Sequence, residues 1–165
     1  MPSDSEAARP ARADDVDLLI TIAEEHAKAI ADDRGAGLLF RRELLLDDLA
    51  TELRAAIDDS DASVIVGLFD GYPFGYALVY YERLADGAWL ARLEHLVVDA
   101  SARKVGVGEA IMNRVLDEAR ARSCIGIDSR ALPGDRDTKN FFESFGLKAR
   151  LLTVHRSLDS GHDGR

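Results

Sequence analysis

Arg103-Lys104-Val105-Gly106-Val107-Gly108 stands between an apolar segment ending at Val97-Val98 and a run in which Ile111, Val115 and Ala119 recur at helical spacing, with Met112 and Leu116 beside them. Strand, glycine-bearing loop, helix is an order with physical content. Gly106 and Gly108 withdraw side chains where a ligand must approach the backbone. The helix start presents unpaired N–H groups carrying partial positive charge. Such a loop seats a diphosphate, and Arg103 and Lys104 add local positive charge. A tight turn alone would use the same glycines. Two other nucleotide loops are excluded: no GxxxxGK[ST] run exists, and the third glycine of a dinucleotide fingerprint would fall at Ile111.

Upstream of the loop, residues 64–69 and 74–81 flank Asp70-Gly71 as an antiparallel hairpin, and Asp86-Gly87 turns the chain into a third strand, 89–98. Before the hairpin, an extended segment at 9–12 leads to Asp14. This residue reads as the N-cap of a helix carrying Val16, Leu19, Ile20, Ala23, Ala27 and Ile30. After Gly35 and Gly37, a second amphipathic helix is marked by Leu45, Leu49, Leu53 and Ile57. Downstream come a strand at 124–129, a Pro133-Gly134 turn, a helix from Asp135 through Phe145 stopped by Gly146, and a closing strand at 149–156. Residues 1–8 and 159–165 read as frayed ends of one domain spanning 1–165. The order is that of an α/β protein with a mixed, mostly antiparallel sheet flanked by about four helices.

The net charge of −9 argues against a nucleic-acid partner, which requires a basic surface, and suits cationic acceptors. No stretch is apolar enough to cross a bilayer, and the first residues lack the pattern of a secretory signal, so no membrane association is expected. Cys124 is the single cysteine, which fits a reducing, cytoplasmic compartment. No H-x-H, H-E-x-x-H or Cys/His cluster implies a metal.

The spacing from Val98 through Arg103 to Gly108 resembles the coenzyme A signature of the GNAT superfamily of N-acetyltransferases, R/Q-x-x-G-x-G/A after a strand. The element order at about 8–158 is also the order of that fold. The resemblance implies acetyl-coenzyme A as co-substrate. Strands would splay between Val98 and Cys124, the backbone of Val97 and Val98 would pair with the pantetheine arm, and Arg103, Lys104, Val105, Gly106, Val107, Gly108 and Glu109 would cradle the pyrophosphate. Residues 135–147 resemble the family's second cofactor element, N-x-x-A-x-x-F-Y-E-x-x-G-F, which makes Lys139, Asn140 and Phe142 cofactor contacts. Three positions depart from it: Asp135 replaces asparagine, Thr138 replaces alanine, and Phe142 replaces the tyrosine that often protonates the leaving thiolate. A phenyl ring has no proton to give. Water, Tyr80, Tyr81 or the reacting ammonium would have to supply it. The resemblance also implies a homodimer.

Acetyl transfer needs a deprotonated amine. Glu94, on a mostly apolar strand beside the proposed thioester site, is the candidate base, acting through a water. Strand alternation puts Arg92, Glu94, Leu96 and Val98 on one face, whereas a bulge would exchange Glu94 for His95. His155 would border the acceptor pocket or serve a structural role, Arg41 and Arg42 would contact substrate or stand as a solvated pair, and His26 and His162 read as surface residues. The reading is direct transfer to a primary amine of a small molecule or peptide within a ternary complex, because no serine or cysteine nucleophile stands beside a base. The absence of the tyrosine leaves an alternative: a coenzyme A-binding sensor or interaction module with weak chemistry.

Overall fold

The computed structural model describes residues 6–33, 36–38 and 46–158. Strand β1 (Glu6–Pro10) leads through a 3-10 turn to helix α1 (Val16–Ile30), then come helix α2 (Leu46–Asp58) and strands β2 (Ala62–Phe69), β3 (Tyr72–Arg83) and β4 (Trp89–Val98). Helix α3 (Val107–Ala121), strand β5 (Cys124–Asp128) and helix α4 (Arg136–Ser144) follow. The strands form one sheet in the order β1-β2-β3-β4-β5, antiparallel except for the β4–β5 pair, whose parallel crossover is α3.

The central strands are buried on both faces, so β2 and β3 read as nearly continuous apolar runs. Alternation splits those runs between two cores. Val64, Val66, Tyr76 and Leu78 pack under Val16, Leu19 and Ile22 of α1 and Leu49 and Leu53 of α2. Ile65, Ala77, Val79, Ala91 and Leu93 pack under Val107, Ile111, Met112 and Val115 of α3, with Phe142 of α4. Each buried aliphatic side chain contributes about 1.5–3 kcal/mol. Truncating fully buried Leu53 to alanine costs about 2–5 kcal/mol.

Three expectations are corrected. Residues Glu6 to Ala8 are not frayed, because they pair with Phe69, Leu68 and Gly67 of β2. Asp15, not Asp14, closes the entry to α1: it accepts from the Arg12 N–H at 2.7 Å and from both Arg9 Nη atoms. The closing strand at 149–156 does not form; that segment is irregular and exposed. Gly35, Arg41, Arg42, Leu45, His162 and the C-terminal residues 159–165 lie outside the described residues. No helix among those described is long and apolar enough to cross a membrane.

Candidate active site at the end of strand β4

β5 pairs with β4 only as far as Ala91↔Ile127 and Arg92↔Asp128. Beyond that point β4 continues for six residues, Leu93 to Val98, with β3 on one side and no strand of the described residues on the other. Ser129 Oγ donates to the Leu93 carbonyl at 3.2 Å where the two strands part. An extended ligand could therefore add to this edge as a further strand would.

Within the same stretch β4 carries a bulge. Leu78 faces His95 and Val79 faces Leu93, so Glu94 is the extra residue without a partner on β3. The bulge overturns simple alternation. Ala91 and Leu93 belong to the core under α3, Val97 belongs to the core under α1 and α2, and Leu96 and Val98 pack toward α3. Arg92 and Glu94 thus do not share a face with Leu96 and Val98. Instead the Arg92 guanidinium lies over the Tyr80 ring, 5.6 Å from its centroid.

Glu94 is held between two arginines. Arg130 Nη2 donates to its Oε1 at 2.7 Å. Arg92 Nε lies 3.2 Å from Oε2, an ion-pair distance without hydrogen-bond alignment. Oε2 is buried and accepts no hydrogen bond among the described residues. A buried carboxylate oxygen in that state is costly unless something donates to it. His95 is 8% exposed, and its Nδ1 lies 3.2 Å from the Tyr76 hydroxyl.

Of the two candidate tyrosines, the backbone sends Tyr80 toward α2, where its hydroxyl donates to Glu52 Oε1 at 2.9 Å. Burial, and then the bond to Glu52, push its phenol pKa well up. Tyr81 points to the opposite face. Its hydroxyl meets Ser63 and Glu118, and Arg122 covers its ring. Burial likewise raises the Tyr76 phenol.

The loop after β4 is open. Asp99 accepts from the Ser101 N–H at 2.8 Å, starting a 3-10 turn that ends at Ala102. Gly106 then takes φ +85°, a left-handed conformation, and serves as N-cap of α3. Gly106 and Gly108 are half-buried rather than sealed, and Arg103, Lys104 and Glu109 are exposed. Val107 is fully buried as the helix begins, with the half-buried Gly106 and Gly108 on either side of it. A Cβ built on Gly106 would lie 3.1 Å from Cδ of Glu6, so a carboxylate already rests beside this helix start.

Arg103 folds back along β4. Its Nε lies 3.5 Å from the Val98 carbonyl and its Nη2 3.4 Å from His26 Nδ1. His26 is therefore not a plain surface residue: together with Ile22, Glu25, Val98, Asp99 and Arg103 it lines a cleft of ≈ 270 Å³ between α1 and the loop. Burial, then the nearby Arg103 charge, lower its pKa.

Asp135 caps α4 through the Thr138 N–H at 3.0 Å, and Thr138 Oγ1 donates to its other carboxylate oxygen at 2.6 Å. The two residues that depart from the asparagine and alanine pattern thus bond to each other. Lys139 and Asn140 lie on the exposed side of α4, while Phe142 is 7% exposed within the α3 core. Phe141 instead faces the loop: a Cβ on Gly108 would lie 3.5 Å from its ring. His155 is exposed on the segment that follows, away from the packed core.

Sequence reasoning missed Glu52, Tyr76 and Arg130. Arg92, two residues before Glu94 on the strand, had a local signal. The others come from distant elements and had none.

A model of the Acetyltransferase (GNAT) family matches residues 20–147, most of the chain, including β4, the glycine loop and α4. The chain belongs to the GNAT acetyltransferase family. It is an acyltransferase of a family that generally uses acetyl-coenzyme A. Solved structures share the fold at low identity. The tetramutant of the BH1408 protein from Bacillus halodurans is 19% identical with a TM-score of 0.79, over 92% of this chain and 99% of that one. The aminoglycoside N-acetyltransferase AAC(6')-Iy in complex with CoA is 14% identical with a TM-score of 0.72, over 96% and 99%. Glucosamine-6-phosphate N-acetyltransferase from Arabidopsis thaliana is 14% identical with a TM-score of 0.68, over 94% and 100%. No curated protein sequence matches the chain significantly.

Proposed function

We propose that this GNAT protein is a cytoplasmic enzyme that transfers the acetyl group of acetyl-coenzyme A to a primary amine by direct attack within a ternary complex. The observation that carries the reading is the coincidence of three features on one strand end. β4 loses its β5 partner at Arg92, the bulge at Glu94 follows at once, and an open glycine loop closes the strand.

In this reading the outer edge of residues 93–98 takes the pantetheine amides, and the N–H groups at the start of α3 take the diphosphate, with Arg103 and Lys104 screening its charge. Arg92 and Arg130 fix the Glu94 carboxylate, which leaves Oε2 to accept from the acceptor's ammonium or from a water that relays its proton. The attacking nitrogen forms its bond to the acetyl carbon as the carbon–sulfur bond breaks, and the thiolate leaves with a proton. Phe142 cannot supply that proton from the α3 core. Tyr80, protonated throughout the neutral range and on the Arg92 side of the sheet, is the donor we assign.

The test has two stages. Acetyl-coenzyme A at a hundred times its dissociation constant adds about 2.7 kcal/mol of stability and raises the melting temperature by about 5–10 °C. Thiol release is then followed with a panel of primary amines. Glu94→Gln lowers kcat by about 10²–10³-fold and changes coenzyme affinity less than ~2-fold. Unchanged turnover in that variant removes Glu94 from the mechanism. A thermal shift without thiol release from any amine favours the sensor reading, for which Phe142 is the structural argument.

A further inference from the structure

Backbone bonding at the end of β4 fixes which way Val98 faces. The Asp99 N–H donates to the Phe74 carbonyl at 2.7 Å, which makes Val98 and the facing Gly75 a pair that exchanges no hydrogen bonds of its own. The N–H and carbonyl of Val98 therefore point away from β3, to the edge that β5 has already left. Arg103 lies across that edge. Its Nε is 3.5 Å from the Val98 carbonyl, and Nη2 of the same guanidinium reaches Nδ1 of the half-buried His26 on α1 at 3.4 Å. Both residues line the ≈ 270 Å³ cleft under α1. A guanidinium has five donors and no acceptor, so His26 meets it only with Nδ1 unprotonated. A ligand strand that takes the Val98 carbonyl meets the Arg103 side chain on the same edge. Once displaced, the guanidinium finds its strongest new partner in the ligand's own diphosphate.

We propose that His26 is a positioning residue acting through Arg103: it latches the guanidinium over the open edge of β4 in the free protein, and coenzyme binding breaks that contact to draw Arg103 onto the diphosphate, an inference that rests on the diphosphate reading of the α3 start given above. Removing the latch therefore tightens coenzyme binding, the opposite of what loss of a direct ligand contact does. Protonating His26 also opens it. Burial, then the Arg103 charge, keep the imidazole below its ordinary pKa, while Asp135 of the α4 cap and Asp33 oppose them and His95 adds a smaller lowering. Glu25 and Asp99 line the same cleft. The neutral acceptor is thus the form present at neutral pH, and the latch is lost as pH falls through the folded value.

The experiment titrates the full-length chain with coenzyme A by calorimetry near neutral pH. His26→Ala binds about 3–10-fold more tightly than the parent, the range of one modest hydrogen bond. His26→Asn, whose side-chain oxygen accepts in place of Nδ1, stays within ~2-fold. Arg103→Ala weakens binding about 5–50-fold and erases the His26→Ala gain in the double variant. Toward pH ~5.5 the parent gains on His26→Asn, a comparison that cancels both His95 and the coenzyme's own phosphate monoester, whose second pKa lies near ~6. That gain is absent in the Arg103→Ala background. Without coenzyme, the His26 imidazole followed by NMR titrates at higher pH in Arg103→Ala than in the parent. Circular dichroism confirms that each variant is folded. If His26→Ala weakens binding or leaves it unchanged while Arg103→Ala weakens it, the latch is overturned and the diphosphate reading stands. If Arg103→Ala binds coenzyme A as tightly as the parent, Arg103 does not serve the diphosphate and the latch falls with that assignment. A His26 titration indifferent to Arg103 overturns the latch as well.

Discussion

Gly67 of β2 pairs with Gly75 of β3 directly beneath the first turns of α3. A Cβ built on Gly67 would lie 2.6 Å from both Cδ1 and Cγ1 of Ile111 and 2.7 Å from Cγ1 of Val107. Carbon atoms pack favourably near ~3.5–4.0 Å, so Gly67→Ala overlaps three core atoms by about 1 Å each. Both partners are fully buried and cannot swing into solvent. The start of α3 must therefore lift, and Gly106 and Gly108 lift with it. Overpacking of this kind costs about 1–3 kcal/mol. For a chain of this length each kcal/mol moves the melting temperature by about 2–4 °C, which gives a drop centred near ~6 °C. Coenzyme affinity, read by calorimetry, falls as well, since the displaced amides are those assigned to the diphosphate. Ile111→Ala removes both 2.6 Å contacts. Alone it costs about 2–5 kcal/mol, yet the new methyl group fills part of the space it vacates, so the double variant is about 1–2 kcal/mol more stable than the sum of the singles. A melting temperature of Gly67→Ala within ~1 °C of the parent, together with strict additivity, would refute the claim that this glycine pair sets the height of the loop.

Gly106→Ala forces an alanine to φ +85° beside the Glu6 carboxylate, costing about 1–2 kcal/mol in thermal denaturation and lowering coenzyme affinity at least as much. Tyr80→Phe lowers kcat about 10–100-fold without weakening coenzyme binding, while Tyr81→Phe, on the Glu118 face, stays within ~2-fold of the parent in the same thiol-release assay. The Arg9 hydrogen bond, ahead of the other influences, holds the Asp15 carboxyl below its ordinary value. Its stabilisation is thus complete above the unfolded pKa near ~4 and disappears as pH falls through the lower folded value. Calorimetry from pH 7 to pH 3 should accordingly show Asp15→Asn melting below the parent at neutral pH, with the gap closing in acid.

The parts of this protein legible in its sequence are those whose signal is local. The Asp-Gly turns, the 3.6-residue period of α1, α2 and α3, and glycine spacing after Val98 each depend on neighbours along the chain, and the structure forms those elements within a few residues of their expected bounds. What could not be read depends on distance. The Glu94 bulge leaves no mark in Arg92-Leu93-Glu94-His95, because nothing in that tetrapeptide says which residue β3 will skip. Yet the bulge decides the site: with unbroken alternation Ala91, Leu93, His95 and Val97 would all enter the α3 core, whereas it sends the last two toward α1 and α2. Arg130 and Glu52 reach Glu94 and Tyr80 only through tertiary folding, so composition could not nominate them. The pair Asp135 and Thr138 shows the same limit from the other side. Position by position they are two departures from a family pattern, and in space they are one hydrogen-bonded cap in which each substitution accounts for the other. Phe142 differs: buried in the α3 core, it has no such compensating partner on its own helix, and the proposed mechanism therefore takes the proton from Tyr80, which is why the test of Tyr80 bears on the chemistry more directly than any change at Phe142.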